Sequence, residues 1–150
     1  MKKLFVEKSV DINAPASEVW EVLTNPVLSK EWIKEWWPDF EILKSDWKEG
    51  SPVIWKVNNG LTAAQGKVTT VQPPTNLQFD FQVNDPSNPR QPESVIYQLN
   101  EQDGHTRLFV SVGDFGDTPE HEQCYPGAEQ GWDKSLPKIK ALAENIMQTQ

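Results

Sequence analysis

Few side chains in this 150-residue sequence are of kinds that do chemistry. His121 stands among Asp114, Asp117, Glu120 and Glu122, with Cys124 three residues further on. A metal centre draws three or four ligands together at fixed geometry. One imidazole, one thiol and a run of acids match that need loosely, and the stretch reads as a solvated acidic loop. His105 falls in the Asp103-Gly104 turn, and tight turns lie on the surface. There is no Gly-x-Ser-x-Gly elbow and no glycine-rich loop of the kind that cradles phosphate. The lone Cys124 comes without the motif of a catalytic nucleophile. The residues therefore assign no catalytic group, no metal and no cofactor, and they favour a non-enzymatic role.

Two other features could bind rather than react. Trp32, Trp36, Trp37, Trp47 and Trp55 fall within 24 residues. Five indoles can fill a core beneath short helices, or they can wall a ligand cavity or a partner surface. Trp36-Trp37-Pro38 stands out, because two adjacent rings at a helix end cannot both point inward. Lys8 interrupts an otherwise apolar row. Either its stem lies along an edge with the amine in water, or it is a cavity cation that holds an acidic head group and pairs with a carboxylate meanwhile.

The elements that must position these residues follow from periodicity. Residues 4–12 alternate, with Leu4, Val6, Val10 and Ile12 on one face, which predicts a half-buried strand. Asn13-Ala14-Pro15-Ala16-Ser17 is a helix-start signal. Val19, Trp20, Val22 and Leu23 then make an apolar stripe that Asn25-Pro26 ends. A second short helix follows, with Leu28, Trp32 and Ile33 inward, and stops before Pro38. From 40 to 112 the pattern is strands and turns. Asn58-Asn59-Gly60 predicts a tight hairpin, and Gln102-Asp103-Gly104-His105 predicts another. Leu77, Phe79, Phe81 and Val83 alternate with polar residues, as do Val95, Tyr97 and Leu99, and Leu108, Val110 and Val112. A loop from Asn84 to Pro92 separates two of these runs, and a polar loop spans Gly113 to Gln123. Trp132, Leu136, Ile139, Ala143 and Ile146 are spaced 4, 3, 4 and 3 apart, one face of a long helix. Pro137 lies inside it and predicts a kink or a restart. Trp132 heads the stripe, and its removal should cost on the order of 3–5 kcal/mol if the ring is fully buried.

Hairpin-length connections make the sheet antiparallel. One apolar face per strand and one apolar helix stripe must meet. The order therefore gives a single α+β domain spanning 1–150, with a curved antiparallel sheet wrapped around a long C-terminal helix and two short helices after the first strand. The net charge of −8 disfavours nucleic acid and anionic membrane surfaces as partners. No stretch approaches the length of a membrane span. Met1-Lys2-Lys3-Leu4 precedes no apolar run of the kind that makes a signal peptide. One cysteine suits a reducing compartment, so the cytoplasm is the expected location.

Several segments resemble a known family. Ile12-Asn13-Ala14-Pro15 with Val19-Trp20 looks like its opening pattern. Gly66-x-Val68, Pro73-Pro74 and Leu77-x-Phe79-x-Phe81 follow in the right order. Gly104-x-Thr106-Arg107-Leu108 and Gly131-Trp132 with Leu136 complete it. The chain thus resembles the Hsp90-ATPase-activator-homologue branch of the START-like superfamily. The resemblance implies the helix-grip fold and a cavity between sheet and last helix, whose candidate lining is Lys8, Trp55, Phe79, Phe81, Tyr97, Leu108, Val110, Trp132 and Leu136. An apolar small molecule is the partner it implies. A protein partner, through an Hsp90-type chaperone, is the alternative. A cyclase- or hydrolase-like enzyme is a second alternative, which would need inward polar groups such as Lys8, Gln65 and Tyr97. The eukaryotic Hsp90 activators of the branch carry a further N-terminal domain for which these 150 residues have no room. Little or no stimulation of Hsp90 ATPase is therefore expected from this chain alone. A several-fold, saturable rise in ATP turnover in a coupled assay would contradict that expectation.

Overall fold

The computed structural model describes residues 3–83, 92–116 and 118–148. Strand β1 (Val6–Ile12) buries Val6 and Ile12 at its ends. Helix α1 (Ala16–Thr24) starts directly after Pro15, which stays extended and offers no side-chain cap. Its first N–H is instead taken by a distant carboxylate, Glu101 Oε1, at 2.6 Å. The face formed by Ala16, Val19, Val22 and Leu23 is buried. Asn25 then ends one helix and caps the next, because its side-chain oxygen accepts from the N–H groups of Val27 and Leu28 at 2.9 and 3.3 Å. Helix α2 (Pro26–Ile33) has Pro at its first position and buries Ser29, Trp32 and Ile33.

Six more strands follow: β2 (Phe40–Ser45), β3 (Pro52–Val57), β4 (Thr62–Gln72), β5 (Asn76–Val83), β6 (Glu93–Gln102) and β7 (His105–Gly113). With β1 they form one antiparallel seven-stranded sheet in the order β1-β7-β6-β5-β4-β3-β2. Chain neighbours pair throughout, except that β1 and β2 sit at opposite edges, so α1 and α2 must cross the sheet to connect them. The β6–β7 turn is the two-residue hairpin that the sequence predicts. Asp103 and Gly104 both take positive φ, 56° and 81°, and His105 is exposed. The β3–β4 connection is longer than expected. Asn58–Gly60 form a 3₁₀ turn, with Gly60 at φ 74° to reverse the chain. Of the expected loop from Asn84 to Pro92, all but Pro92 lies outside the described residues.

After β7 the expected polar loop contains a short helix, α3 (Pro119–Glu122), whose N-terminus is capped by Thr118. Helix α4 (Tyr125–Gln148) begins earlier than the periodicity suggests and runs without interruption through Gly127, Gly131 and Pro137. The expected restart at Pro137 does not occur. The proline ring is on the exposed side, while Leu136 and Ile139 beside it are buried and hold the helix on the core. Ala143 is also buried; the side chain of Ile146 lies outside the described residues. The sheet curls as a half-barrel around α4, which also packs on β1, α1 and α2.

Candidate ligand-binding cavity

The two halves of α4 face the sheet differently. The second half presents Leu136, Ile139 and Ala143 to a closed core in which Leu108 and Val110 are wholly buried. The first half carries Gly127, Ala128 and Gly131, and here the space is not filled. A cavity of about 390 Å³ lies between this half-helix, α2 with the segment after it, and the sheet. A Cβ built on Gly127 would meet nothing within 4 Å, and one on Gly131 would just touch Trp36 at 3.6 Å.

The walls are rings in mutual contact. Trp55 meets Phe79 and Phe81 at centroid distances of 5.6 and 4.8 Å. Phe79 meets Tyr97 at 5.7 Å, Tyr97 meets Trp132 at 5.9 Å, and Trp132 meets Trp32 at 5.8 Å. All five pairs are tilted or edge-on, away from the face-to-face sandwich that the ring quadrupole disfavours. Trp47 adds a further ring, 5.8 Å from Phe79. Its backbone holds φ at 53°, a region disfavoured for any residue with a side chain. The indole Nε1–H donates to the carbonyl of Thr24 at 3.1 Å, which helps to hold it there.

All five clustered tryptophans line the cavity. The two readings of the cluster, core and cavity wall, therefore describe the same rings. Trp32 and Trp55 are buried, Trp37 and Trp47 half-buried, and Trp36 is 36% exposed. The adjacent Trp36 and Trp37 both reach the cavity because they leave α2 in a turn rather than in a regular helix.

Of the residues proposed from the sequence, Trp55, Phe79, Phe81, Tyr97 and Trp132 come together on the cavity. Leu108, Val110 and Leu136 do not reach it and belong to the closed core beside it. Lys8 is elsewhere too. Its amine bonds Asp133 at 2.9 Å and lies 3.7 Å from Glu129, pinning β1 to the outer flank of α4. That hydrogen bond to Asp133 raises the lysine pKa above its ordinary value, so the group stays a cation and is already paired. Gln65 is exposed on β4. Burial pushes the pKa of the Tyr97 phenol far up, so it faces the cavity as a neutral hydroxyl group.

The principal polar residue of the lining is one that the sequence reading passed over. Glu93 is 3% exposed and His121, expected in solvent, is 1% exposed. Glu93 Oε1 and His121 Nε2 are hydrogen-bonded at 3.1 Å. The imidazole packs edge-on against Phe115 at 5.1 Å, and its backbone N–H donates to Thr118 Oγ1 at 3.0 Å. Glu93 Oε2 has no hydrogen-bond partner among the described residues. A signal for Glu93 existed. It shares parity with Val95, Tyr97 and Leu99, so a period-two strand extended by two residues puts it on the inner face. Asp114 is not part of a loose acidic loop either. It accepts the backbone N–H groups of Leu4 and Gly116 at 2.9 and 2.7 Å, which hold its carboxyl below the usual carboxylate range. Among the described residues, no cluster of three or more His, Cys, Asp or Glu side chains is placed to hold a metal.

A half-barrel sheet gripping a long C-terminal helix, with an aromatic cavity under the first half of that helix, defines a helix-grip α+β protein. Residues 13–144 match the family described as Activator of Hsp90 ATPase homolog 1-like protein. The chain belongs to that family. Among solved structures it is similar to a protein from Mesorhizobium loti, at 22% identity and TM-score 0.74, over 95% of this chain and 98% of that one. A protein from Cytophaga hutchinsonii is 25% identical, with TM-score 0.69 and 99% of each chain covered. DynU16, from the dynemicin biosynthetic locus, is 21% identical with TM-score 0.71, over 93% of this chain and 47% of that one. No protein of curated function matches the sequence. Among the described residues, no helix is long and apolar enough to cross a membrane.

Proposed function

We propose that this protein binds a small, largely apolar molecule in the cavity beneath the first half of α4. The observation that carries the reading is the unfilled space itself, about 390 Å³ inside an aromatic wall. Small-molecule sites typically occupy roughly 300–1,000 Å³ and are lined mainly by apolar and aromatic groups with a few polar ones. A protein interior normally closes such gaps, because each lost contact forfeits dispersion energy. Here Gly127, Ala128 and Gly131 keep side-chain volume off the helix at the place where closure would occur. The similarity to a protein from the dynemicin biosynthetic locus is in keeping with a role toward a small organic molecule.

The test is a thermal-shift screen with neutral aromatic phenols, their ethers, aliphatic alcohols and fatty acids, read together with intrinsic fluorescence. A bound molecule should raise Tm with concentration by mass action and quench emission from Trp32, Trp55 and Trp132. Ala128→Trp places a ring into the space from α4. It should abolish both effects while far-UV circular dichroism stays unchanged. No shift with any member of the panel up to its solubility limit would sink the binding reading.

A further inference from the structure

We infer that Glu93 is the anchor for a hydrogen-bond donor on the bound molecule, so that the cavity selects apolar ligands bearing a hydroxyl or N–H group and discriminates against carboxylate-headed ones. This rests on the binding reading above and deepens it. The sequence offers Lys8 as a cavity cation for an acidic head group, and the structure inverts that polarity. Lys8 is spent on Asp133 and Glu129, while the carboxyl group of Glu93 lines the cavity beside Val95 and Tyr97.

The geometry of the pair fixes what Glu93 can do. One carboxyl oxygen is engaged by His121 at 3.1 Å, and the other has no partner among the described residues. If the imidazole Nε2–H donates to a carboxylate, Oε2 remains a carboxylate acceptor. If instead a carboxylic acid donates from Oε1 to Nε2, Oε2 is the carbonyl oxygen and still accepts. In both arrangements, with no proton on Oε2, the second oxygen asks for a donor. In the free protein, water entering the cavity can meet that need. A ligand that displaces such a water loses affinity unless it supplies the same hydrogen bond. Around Glu93 the lining is apolar, with Phe81, Val95, Val112 and Phe115 in the wall. A ligand's negative charge there would lie in a poorly solvated space beside an oxygen that itself accepts, which is costly. His121 serves as a positioning residue. Its ring is wedged against Phe115 and its backbone N–H is fixed by Thr118, so the carboxyl it holds is fixed in turn.

The experiment compares 2-naphthol with 2-methoxynaphthalene by isothermal titration calorimetry on the full chain. The two differ in one donor hydrogen, replaced by methyl. Naphthol is expected to bind on the order of tenfold more tightly, the worth of one hydrogen bond to a buried acceptor. In the double variant Glu93→Leu/His121→Phe, which removes both partners together, the preference should vanish while the ether still binds. Should that variant fail to fold, Glu93→Met, which nearly keeps the volume and removes both acceptor oxygens, must also narrow the preference. Equal affinities in the wild type would overturn the inference and leave the binding reading standing. A preference that persists undiminished in the variants would also overturn it, because another group would then be the acceptor. If neither compound binds, and the wider panel also fails, the binding reading falls and this inference falls with it.

Discussion

Gly66→Ala is expected to be the most damaging single methyl group in the molecule, costing on the order of 3 kcal/mol or more and leaving the protein at or past its folding limit. A Cβ built on Gly66 would lie 1.6 Å from the carbonyl oxygen of Asp80 and 2.4 Å from its carbon. Both are backbone atoms, so no rotamer change relieves the overlap. Gly66 is in the middle of β4, opposite Val53 of β3, and Asp80 is in β5, opposite Ser94 of β6. Neither strand can yield without breaking a ladder on its far side. Phe79 and Phe81, on either side of Asp80, line the cavity. A urea melt is the measurement. A Gly66→Ala protein within about 1 kcal/mol of wild type would show that the sheet relaxes around the methyl group. In the sequence Gly66 stands out only as part of the Gly66-x-Val68 pattern, which carries no physical reason for it. The reason is a contact between two strands, which one-dimensional periodicity does not display.

The same distinction separates what was legible from what was not. Period-two alternation located the strands, and 4-3-4-3 spacing located α4, because each signal is local and repeats over many residues. Asp103-Gly104 was legible because two residues alone determine that turn. His121 was not. Its neighbours are acids, and composition therefore placed it in water, yet α3 folds back and inserts the ring between Phe115 and Glu93. Glu93 was missed because it follows Pro92 and ends a loop in sequence, although parity puts it on the inner face. Lys8 was recognised as anomalous on the apolar row. Its partners, Glu129 and Asp133, are more than a hundred residues away, so the direction of its amine could not be read. The cavity lining was partly legible for a related reason. Inward parity marks Leu108 and Val110 as strongly as Phe79 and Tyr97. Only the change from small residues to large ones along α4 decides which of them meet empty space.

That change along α4 also reorders the expected cost of losing a tryptophan. The sequence suggests Trp132 as the costly one, since it heads the apolar stripe of α4. In the structure it is only half-buried, with one side on the cavity. Trp32, by contrast, is 2% exposed. Its indole N–H donates to the carbonyl of Val22 at 2.9 Å, tying α2 to the end of α1. Trp32→Ala should therefore cost about 3–5 kcal/mol, the usual range for a buried Trp replaced by Ala. The Val22 carbonyl loses that donor but keeps the Ser29 hydroxyl at 3.2 Å, so the lost packing of the ring dominates. Trp132→Ala removes less area from contact and opens onto space that already exists. Its loss should be about 1–2 kcal/mol, scaled from the apolar area it still covers. The two variants should diverge in binding as well. A larger cavity without Trp132 should still admit a ligand and hold it more weakly, whereas Trp32→Ala should loosen the α1–α2 junction that roofs the site. Chemical denaturation of both proteins decides the order. If Trp132→Ala proves the more destabilising of the two, the ring is packed on all sides in solution, and the cavity under the first half of α4 is closed.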